Sequence, residues 1–244
     1  MKTSTLLENI STVYKRMSDA AMRAGRGPEE VKLIAVTKTV SIEQIREAVG
    51  AGLRIFGENR VQEAKEKISN LKSFASGEPV RGGQISNVNI EWHLIGHLQR
   101  NKAKYAVRLF DLIHSVDSQG LAEELNRHAE KTGKVQDVLL EVKLSREESK
   151  HGVSGEELMG LLERVSDMKH LKLKGLMTIP PFFEDPGDAR PYFRELRELR
   201  DRARERGFFL PELSMGMSHD FEVAIEEGAT MVRIGTAIFG ERTV

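Results

Sequence analysis

Lys38 stands directly after the apolar run Leu33-Ile34-Ala35-Val36-Thr37. At the end of a buried strand, a lysine can point into a cleft where partial desolvation and nearby cations lower its pKa. An amine tuned in this way forms imines with carbonyl compounds. The alternative is a solvated ammonium at a strand end. Arg233 is a second oddity, because it interrupts the final apolar run, Val232-Arg233-Ile234. A guanidinium there is costly to bury unless an acceptor meets it, and an ion pair with a carboxylate such as Glu141 would be a purely structural solution. Two nearby segments are rich in small residues. Leu213-Ser214-Met215-Gly216-Met217-Ser218 leads into a helix predicted to start near His219, and Ile234-Gly235-Thr236 follows Arg233. Small residues let backbone N–H groups approach an anion, and a helix N-terminus adds unpaired donors and a positive dipole end. The two segments form either a phosphate cup or ordinary turns and caps.

Other residues offer less. Asn59, in Phe56-Gly57-Glu58-Asn59, can hydrogen-bond a ligand or cap a loop. Seven histidines invite a metal reading. His93 and His97 are four apart, but Trp92-His93-Leu94-Ile95-Gly96-His97 reads as strand then turn, with no third ligand at useful spacing. No metal site is therefore expected, and His93 and His114 are read as hydrogen-bonded polar residues inside the fold. No nucleophile elbow, Walker loop or dinucleotide fingerprint is present.

Short apolar runs alternate with amphipathic stretches and must position these groups. Strands are predicted at 31–37, 54–56, 90–95, 112–116, 135–142, 173–178, 212–215 and 231–234. Helical patterns cover 3–24 and 41–50, then 59–72, 99–107, 118–131, 155–166, 188–206 and 219–227. Strand then helix, eight times, is the order of an α/β (β/α)8 TIM barrel, with a doubly wound open sheet as the structural rival. In a barrel, the loops after strands one, seven and eight would bring Lys38, Ser218 and Gly235 to one mouth. Residues 73–89 and 180–187 read as loops. The Arg- and Glu-rich stretch 194–206 reads as a solvated helix face with i,i+4 pairs.

The chain has 244 residues, 39% hydrophobic and 30% charged, and no composition shift marks a boundary, so one domain over 1–244 is expected. Cysteine is absent, which excludes disulfides and thiolate chemistry. Lys plus Arg and Asp plus Glu both number 37. That balance argues against a chain built to coat nucleic acid or an anionic membrane. No run approaches the ~20 apolar residues of a membrane span, and no signal peptide opens the sequence, so the cytoplasm is expected.

Several segments together resemble one family. They include Ala35-Val36-Thr37-Lys38, Phe56-Gly57-Glu58-Asn59-Arg60-Val61-Gln62-Glu63 and Trp92-His93-Leu94-Ile95-Gly96-His97-Leu98-Gln99. Gly175-Leu176-Met177-Thr178-Ile179-Pro180, Leu213 to Ser218 and Val232 to Gly240 continue the match. The sequence is similar to the YggS/PROSC family of pyridoxal phosphate homeostasis proteins. The resemblance implies a barrel like the N-terminal domain of alanine racemase, the fold-type III pyridoxal enzymes. It implies that Lys38 holds pyridoxal 5'-phosphate (PLP) as a Schiff base. Ser218, Gly235, Thr236 and backbone groups around Met217 would hold the phosphate, with Ser214 nearby. Arg233 would face the pyridine nitrogen, and Asn59 and His93 would line the ring. His219 departs from the small or acidic residue expected at that position.

The related racemases place a tyrosine from an added β domain on the opposite face of the ring. The 244 residues leave no room for that domain, and Tyr14, Tyr105 and Tyr192 lie on predicted helices or helix starts. A PLP carrier serving vitamin B6 homeostasis is therefore expected, with PLP-dependent apoenzymes as partners and no catalytic residue. An amino-acid racemase is the alternative. Without the second domain, a monomer is expected.

Overall fold

The computed structural model describes residues 5–75, 89–145 and 151–241. The strands are β1 Lys32–Val36, β2 Ile55–Glu58, β3 Glu91–Leu94, β4 Leu112–Val116, β5 Gln136–Lys143, β6 Val153–Ser154, β7 Leu171–Met177, β8 Glu212–Met217 and β9 Met231–Ile234. The helices are α1 Leu6–Arg23, α2 Ile42–Gly50, α3 Val61–Ala75, α4 Ala103–Leu109 and α5 Gln119–Thr132. They continue with α6 Leu158–Ser166, α7 Arg190–Glu205, α8 Phe221–Glu226 and α9 Thr236–Phe239.

Every strand pairing is parallel, and the sheet order β4-β3-β2-β1-β9-β8-β7-β5 closes through β4–β5. The result is a closed eight-stranded (β/α)8 barrel, which removes the doubly wound alternative. The two-residue β6, not expected from sequence, pairs with the end of β5 outside the ring. Most of loop 73–89 lies outside the described residues.

The period-two geometry of strands explains how the barrel is filled. Ile34, Leu112, Leu139, Met177 and Met231 make a buried apolar layer inside it. Two residues further along the same faces come His114, Glu141 and Arg233, all buried. The interior thus turns from apolar to polar toward the C-terminal mouth. The opposite strand faces carry residues such as Leu33, Ala35, Ile113, Val138 and Leu140, which belong to the larger core shared with the helices.

Local chemistry sets the ends of the elements. Thr5 and Glu8 form a capping box on α1, and the Ser41 hydroxyl accepts from the Gln44 N–H to start α2. Helix α1 packs on α8 and α9, where Arg16 binds Glu222 and Asn9 donates to the Ile238 carbonyl. The predicted 99–107 helix is a 3-10 turn, Arg100–Lys102, followed by α4.

Arg200 of α7 pairs along its own helix with Asp201 at 2.7 Å, but three other arginines do not pair along it as their spacing suggested. Arg190, Arg194 and Arg197 reach across to buried Glu227, at 3.0, 3.1 and 3.0 Å, and Arg190 also binds Glu226 at 2.6 Å. These contacts clamp α7 to the end of α8. Replacing Glu227 by Ala should cost about 1–2 kcal/mol, since it removes the acceptor shared by three guanidiniums at a part-buried seam, of which Arg190 keeps Glu226. Urea denaturation of Glu227→Ala beside wild type measures this loss; an unchanged midpoint would mean the clamp is solvated decoration. Among the described residues, no helix is long and apolar enough to cross a membrane.

Candidate functional site

The end of β1 is held from three sides. Thr37 is buried and its hydroxyl donates to Glu58 Oε1 at 2.6 Å, at the end of β2. Lys67 of α3 donates to the same Glu58 oxygen at 2.8 Å, to Glu63 Oε1 at 2.6 Å and to the Thr37 carbonyl at 2.5 Å. Burial pushes the Glu58 carboxyl up, while the bonds from Lys67 and Thr37 oppose that rise. Glu63 also accepts the N–H of Thr39 at 2.6 Å. Thr39 has φ +64°, a left-handed backbone conformation that a β-branched residue adopts only under constraint. Lys38 sits between these pinned neighbours, half-buried, on the wall of a cavity of about 340 Å³.

That cavity also meets Asn59, Met217, Ser218, Arg233, Gly235 and Thr236. Six of the residues picked out by sequence therefore share one space with Lys38. Its volume falls within the range of about 300–1,000 Å³ common to small-molecule sites. Ser218 ties the loops after β8 and β9 together, its hydroxyl oxygen accepting the N–H of Gly235 at 3.1 Å and of Ala237 at 3.3 Å. Gly216 makes that approach feasible: its φ is +90°, and a Cβ there would lie 2.6 Å from the Ala224 Cβ.

Two details of the cup differ from expectation. The Met217 N–H is already taken, donating to Asp220 Oδ1 at 2.6 Å, so it is not a free anion donor. The turn made by Asp220 delays α8 to Phe221, leaving His219 outside the helix. The His219 ring is exposed, 3.1 Å from the Glu184 carbonyl and against Phe182.

Arg233 closes the bottom of the cavity and is only 3% exposed. It donates to Ser214 Oγ at 2.7 Å and to the Thr178 carbonyl at 2.9 Å. It therefore makes no direct ion pair with Glu141, which acts on it through charge alone. Burial pulls the guanidinium down to about 10, opposed by Asp220 and Glu141, so it stays cationic at neutral pH.

His93 and Ser214 do not line the cavity; they lie beneath it. Ser214 Oγ is 2.9 Å from His114 Nδ1, and His114 Nε2 is 3.1 Å from His93 Nδ1. His93 Nε2 then lies 3.7 Å from Glu91, at the other end of the barrel. Because arginine can only donate, Ser214 accepts from it and its own O–H is free to donate to His114 Nδ1. Proton continuity then places hydrogens on Nε2 of both imidazoles, the last facing the Glu91 carboxylate. Burial, and then the electrostatic influence of His93 and Arg233, hold His114 well below its ordinary value and hence neutral. Local spacing carries no sign of this run of hydrogen bonds, since each contact joins distant strands, and of the contacts of Lys67 only the i,i+4 pair with Glu63 is local.

Glu141 is buried, and among the described residues its Oε2 has no hydrogen-bond partner. Burial, reinforced by Asp117 and opposed by Arg233, raises its carboxyl to about 7 from 4.5. The folded protein therefore binds a proton at Glu141 that the unfolded chain releases between those values. Stability from this group is present at low pH and lost as pH rises toward 7. Glu141→Gln should accordingly be more stable than wild type above neutrality, by about 3 kcal/mol, with the gap closing near pH 4.5. Urea titrations at several pH values check this; a pH-independent difference would contradict it.

These features define a (β/α)8 barrel whose mouth holds a lysine, a hydroxyl-lined turn pair and a buried guanidinium around one small-molecule cavity. The family model "Alanine racemase, N-terminal domain" matches residues 7–243. A pyridoxal phosphate homeostasis protein of Aquifex aeolicus is 51% identical over 236 residues, covering 96% of this chain and 97% of that one. The structure of PipY from Synechococcus elongatus, described with PLP bound, aligns with TM-score 0.78 and 39% identity, over 93% of this chain and all of PipY. Alanine racemase from Corynebacterium glutamicum, at 19% identity and TM-score 0.65, shares the fold over 96% of this chain and 62% of its own. The chain belongs to the alanine racemase N-terminal domain family, among its pyridoxal phosphate homeostasis proteins. Relatives of this group carry that name rather than an enzyme's.

Proposed function

We propose that this protein binds pyridoxal 5'-phosphate at Lys38 and serves as a carrier in vitamin B6 homeostasis, without turnover of its own. The observation that carries the reading is the single cavity that gathers Lys38, Arg233, Ser218, Gly235 and Thr236. The donor set suits the cofactor: an amine for an aldehyde, hydroxyls and small-residue backbone for a phosphate, and a fixed cation. Homology adds the name of the Aquifex relative and the PLP-bound PipY. When bound, PLP supplies an aldehyde carbon and a pyridine ring able to take up electron density.

The residues of this chain then have distinct tasks. Lys67, Glu58 and Glu63 hold the backbone on both sides of Lys38, so its amine is delivered into the cavity. The Ser218 hydroxyl and Thr236 offer the phosphate contacts, since the Gly235 N–H is already held by Ser218 and the Met217 N–H by Asp220. Asn59 and Met217 line the cavity and would flank the ring. Arg233 is held from below by Ser214 and Thr178, and Ser214 and His93 serve it from outside the cavity. A permanent cation beside the pyridine nitrogen disfavours its protonation and weakens the ring as an electron sink. None of Tyr14, Tyr105 and Tyr192 lines the cavity. The absence of a tyrosine among the described cavity-lining residues supports a carrier over a racemase that would need a phenolic acid there.

The reading takes residues 1–244 as one binding unit, acting as a monomer in the cytoplasm beside the apoenzymes it would supply. Incubating the PLP-loaded protein with L-amino acids, followed by chiral chromatography, tests the carrier assignment. The expected result is no D-isomer above the level of Lys38→Ala. Racemisation that disappears in Lys38→Ala would make the protein an enzyme.

A further inference from the structure

The mouth of the barrel carries a second cluster that the cofactor reading does not use. His97 follows β3, Asp117 follows β4 and His151 precedes β6, so three neighbouring strand ends converge there. One ligand atom from each, an imidazole nitrogen or a carboxylate oxygen, lies within 4.8 Å of the others. His97 Nδ1 is 3.4 Å from Asp117 Oδ2. The His97 and His151 rings stack with centroids 3.6 Å apart. Around a tetrahedral ion with bonds of about 2.0–2.1 Å, neighbouring donors are about 3.3 Å apart, which the His97–Asp117 pair already meets and the third ligand would reach by a side-chain turn.

The backbone under each side chain is pinned. A Cβ on Gly96 would lie 2.5 Å from the Asn59 carbonyl oxygen, and Ser115 donates to the Gly96 carbonyl at 2.7 Å, fixing the chain before His97. Gly152, at φ +122°, presses so close to β5 that a Cβ would lie 2.7 Å from the Lys143 nitrogen, which fixes the chain after His151. Asp117 accepts from the Ser118 hydroxyl through Oδ1, leaving Oδ2 toward His97.

We propose that His97, Asp117 and His151 bind a divalent transition-metal ion, with zinc as the reference case. Two imidazoles and one carboxylate are a borderline donor set suited to zinc, cobalt, nickel or ferrous iron rather than calcium or magnesium. The rings stand 11° from parallel, so one must turn about its Cβ–Cγ bond for both nitrogens to converge. Both histidines are exposed, which permits that turn. Three protein ligands leave open coordination positions. His97 lines a recess of about 500 Å³ with Asn59, Gln62 and Lys102, and Asp117 lines another of about 500 Å³ with Gln119 and Gly152, so the cluster lies between two recesses. The sequence hid the set because its third ligand lies 54 residues from His97 along the chain.

The test is zinc titration of the purified full chain without added PLP, by competition with a chromophoric chelator, beside His151→Ala and Asp117→Asn. One zinc per chain is expected, with affinity falling at least about tenfold in each variant, as for loss of a ligand or its support. Circular dichroism and melting curves establish that the variants are folded. Cobalt loading adds a signature: visible d–d bands of nitrogen and oxygen ligation in wild type, lost in His151→Ala. No binding by the wild type, or binding that both folded variants retain, overturns the proposal. Either result leaves the Lys38 reading untouched, because no PLP is present.

Discussion

Lys38→Ala should abolish the visible absorbance that wild type acquires on mixing with PLP. The expectation follows from the lysine's setting rather than its identity alone. Among the described residues no carboxylate pairs with the Lys38 ammonium, whereas Lys67 nearby is bound by Glu58 and Glu63. The two lysines are thus separated by role: Lys67 is an anchored cation and Lys38 faces the cavity. Removing Lys38 leaves Ser218, Thr236 and Arg233 in place, so reversible binding should persist while covalent capture is lost. Equilibrium dialysis with PLP, read beside the spectrum, separates the two effects. A visible band that survives in Lys38→Ala would assign capture to another amine.

Arg233→Ala should produce the largest loss of stability. The guanidinium is buried, satisfies Ser214 and the Thr178 carbonyl, and offsets the charges of Asp220 and Glu141. Deleting one partner of such a buried charged network costs about 3–5 kcal/mol. For a chain of this size that corresponds to a melting temperature lower by about 6–20 °C. Ser214→Ala should cost less, about 1–3 kcal/mol, because one acceptor is lost while Arg233 keeps Thr178. Arg233→Lys retains charge but not the two-pronged geometry, so it should fall between. Thermal melts of the PLP-free proteins rank the three variants. Arg233→Ala melting with wild type would mean that the cation is dispensable to the barrel and that the buried acceptors find other donors.

Much of the fold was legible because buried parallel strands are short apolar runs with breaks on both sides. Leu112 to Val116 and Met231 to Ile234 begin and end as the pattern implies. Arg233 and Lys38 announced themselves by being charged where apolar residues were expected. The Gly- and Ser-bearing ends of β8 and β9 were legible for the same kind of reason, since small residues stood where apolar strand residues were expected. What escaped were contacts that close only in three dimensions. His93 and His114 read as hydrogen-bonded polar residues inside the barrel, as they are, but that they bond to each other, 21 positions apart, shows only once the barrel closes. Arg194 and Arg197 of α7 read as self-paired until α8 is seen to bring Glu227 against them. Asp220 looks like a helix residue, yet its side chain captures the Met217 N–H and shifts the start of α8. Local spacing carries no information about such partners.

The central claim, that Lys38 is the amine which holds PLP, is tested most directly by borohydride reduction of the loaded protein and peptide mapping by mass spectrometry. A single pyridoxyl group on the peptide containing Lys38 is the predicted result. Modification of a different lysine, such as Lys67 or Lys102, or no modification of the loaded protein, would contradict it.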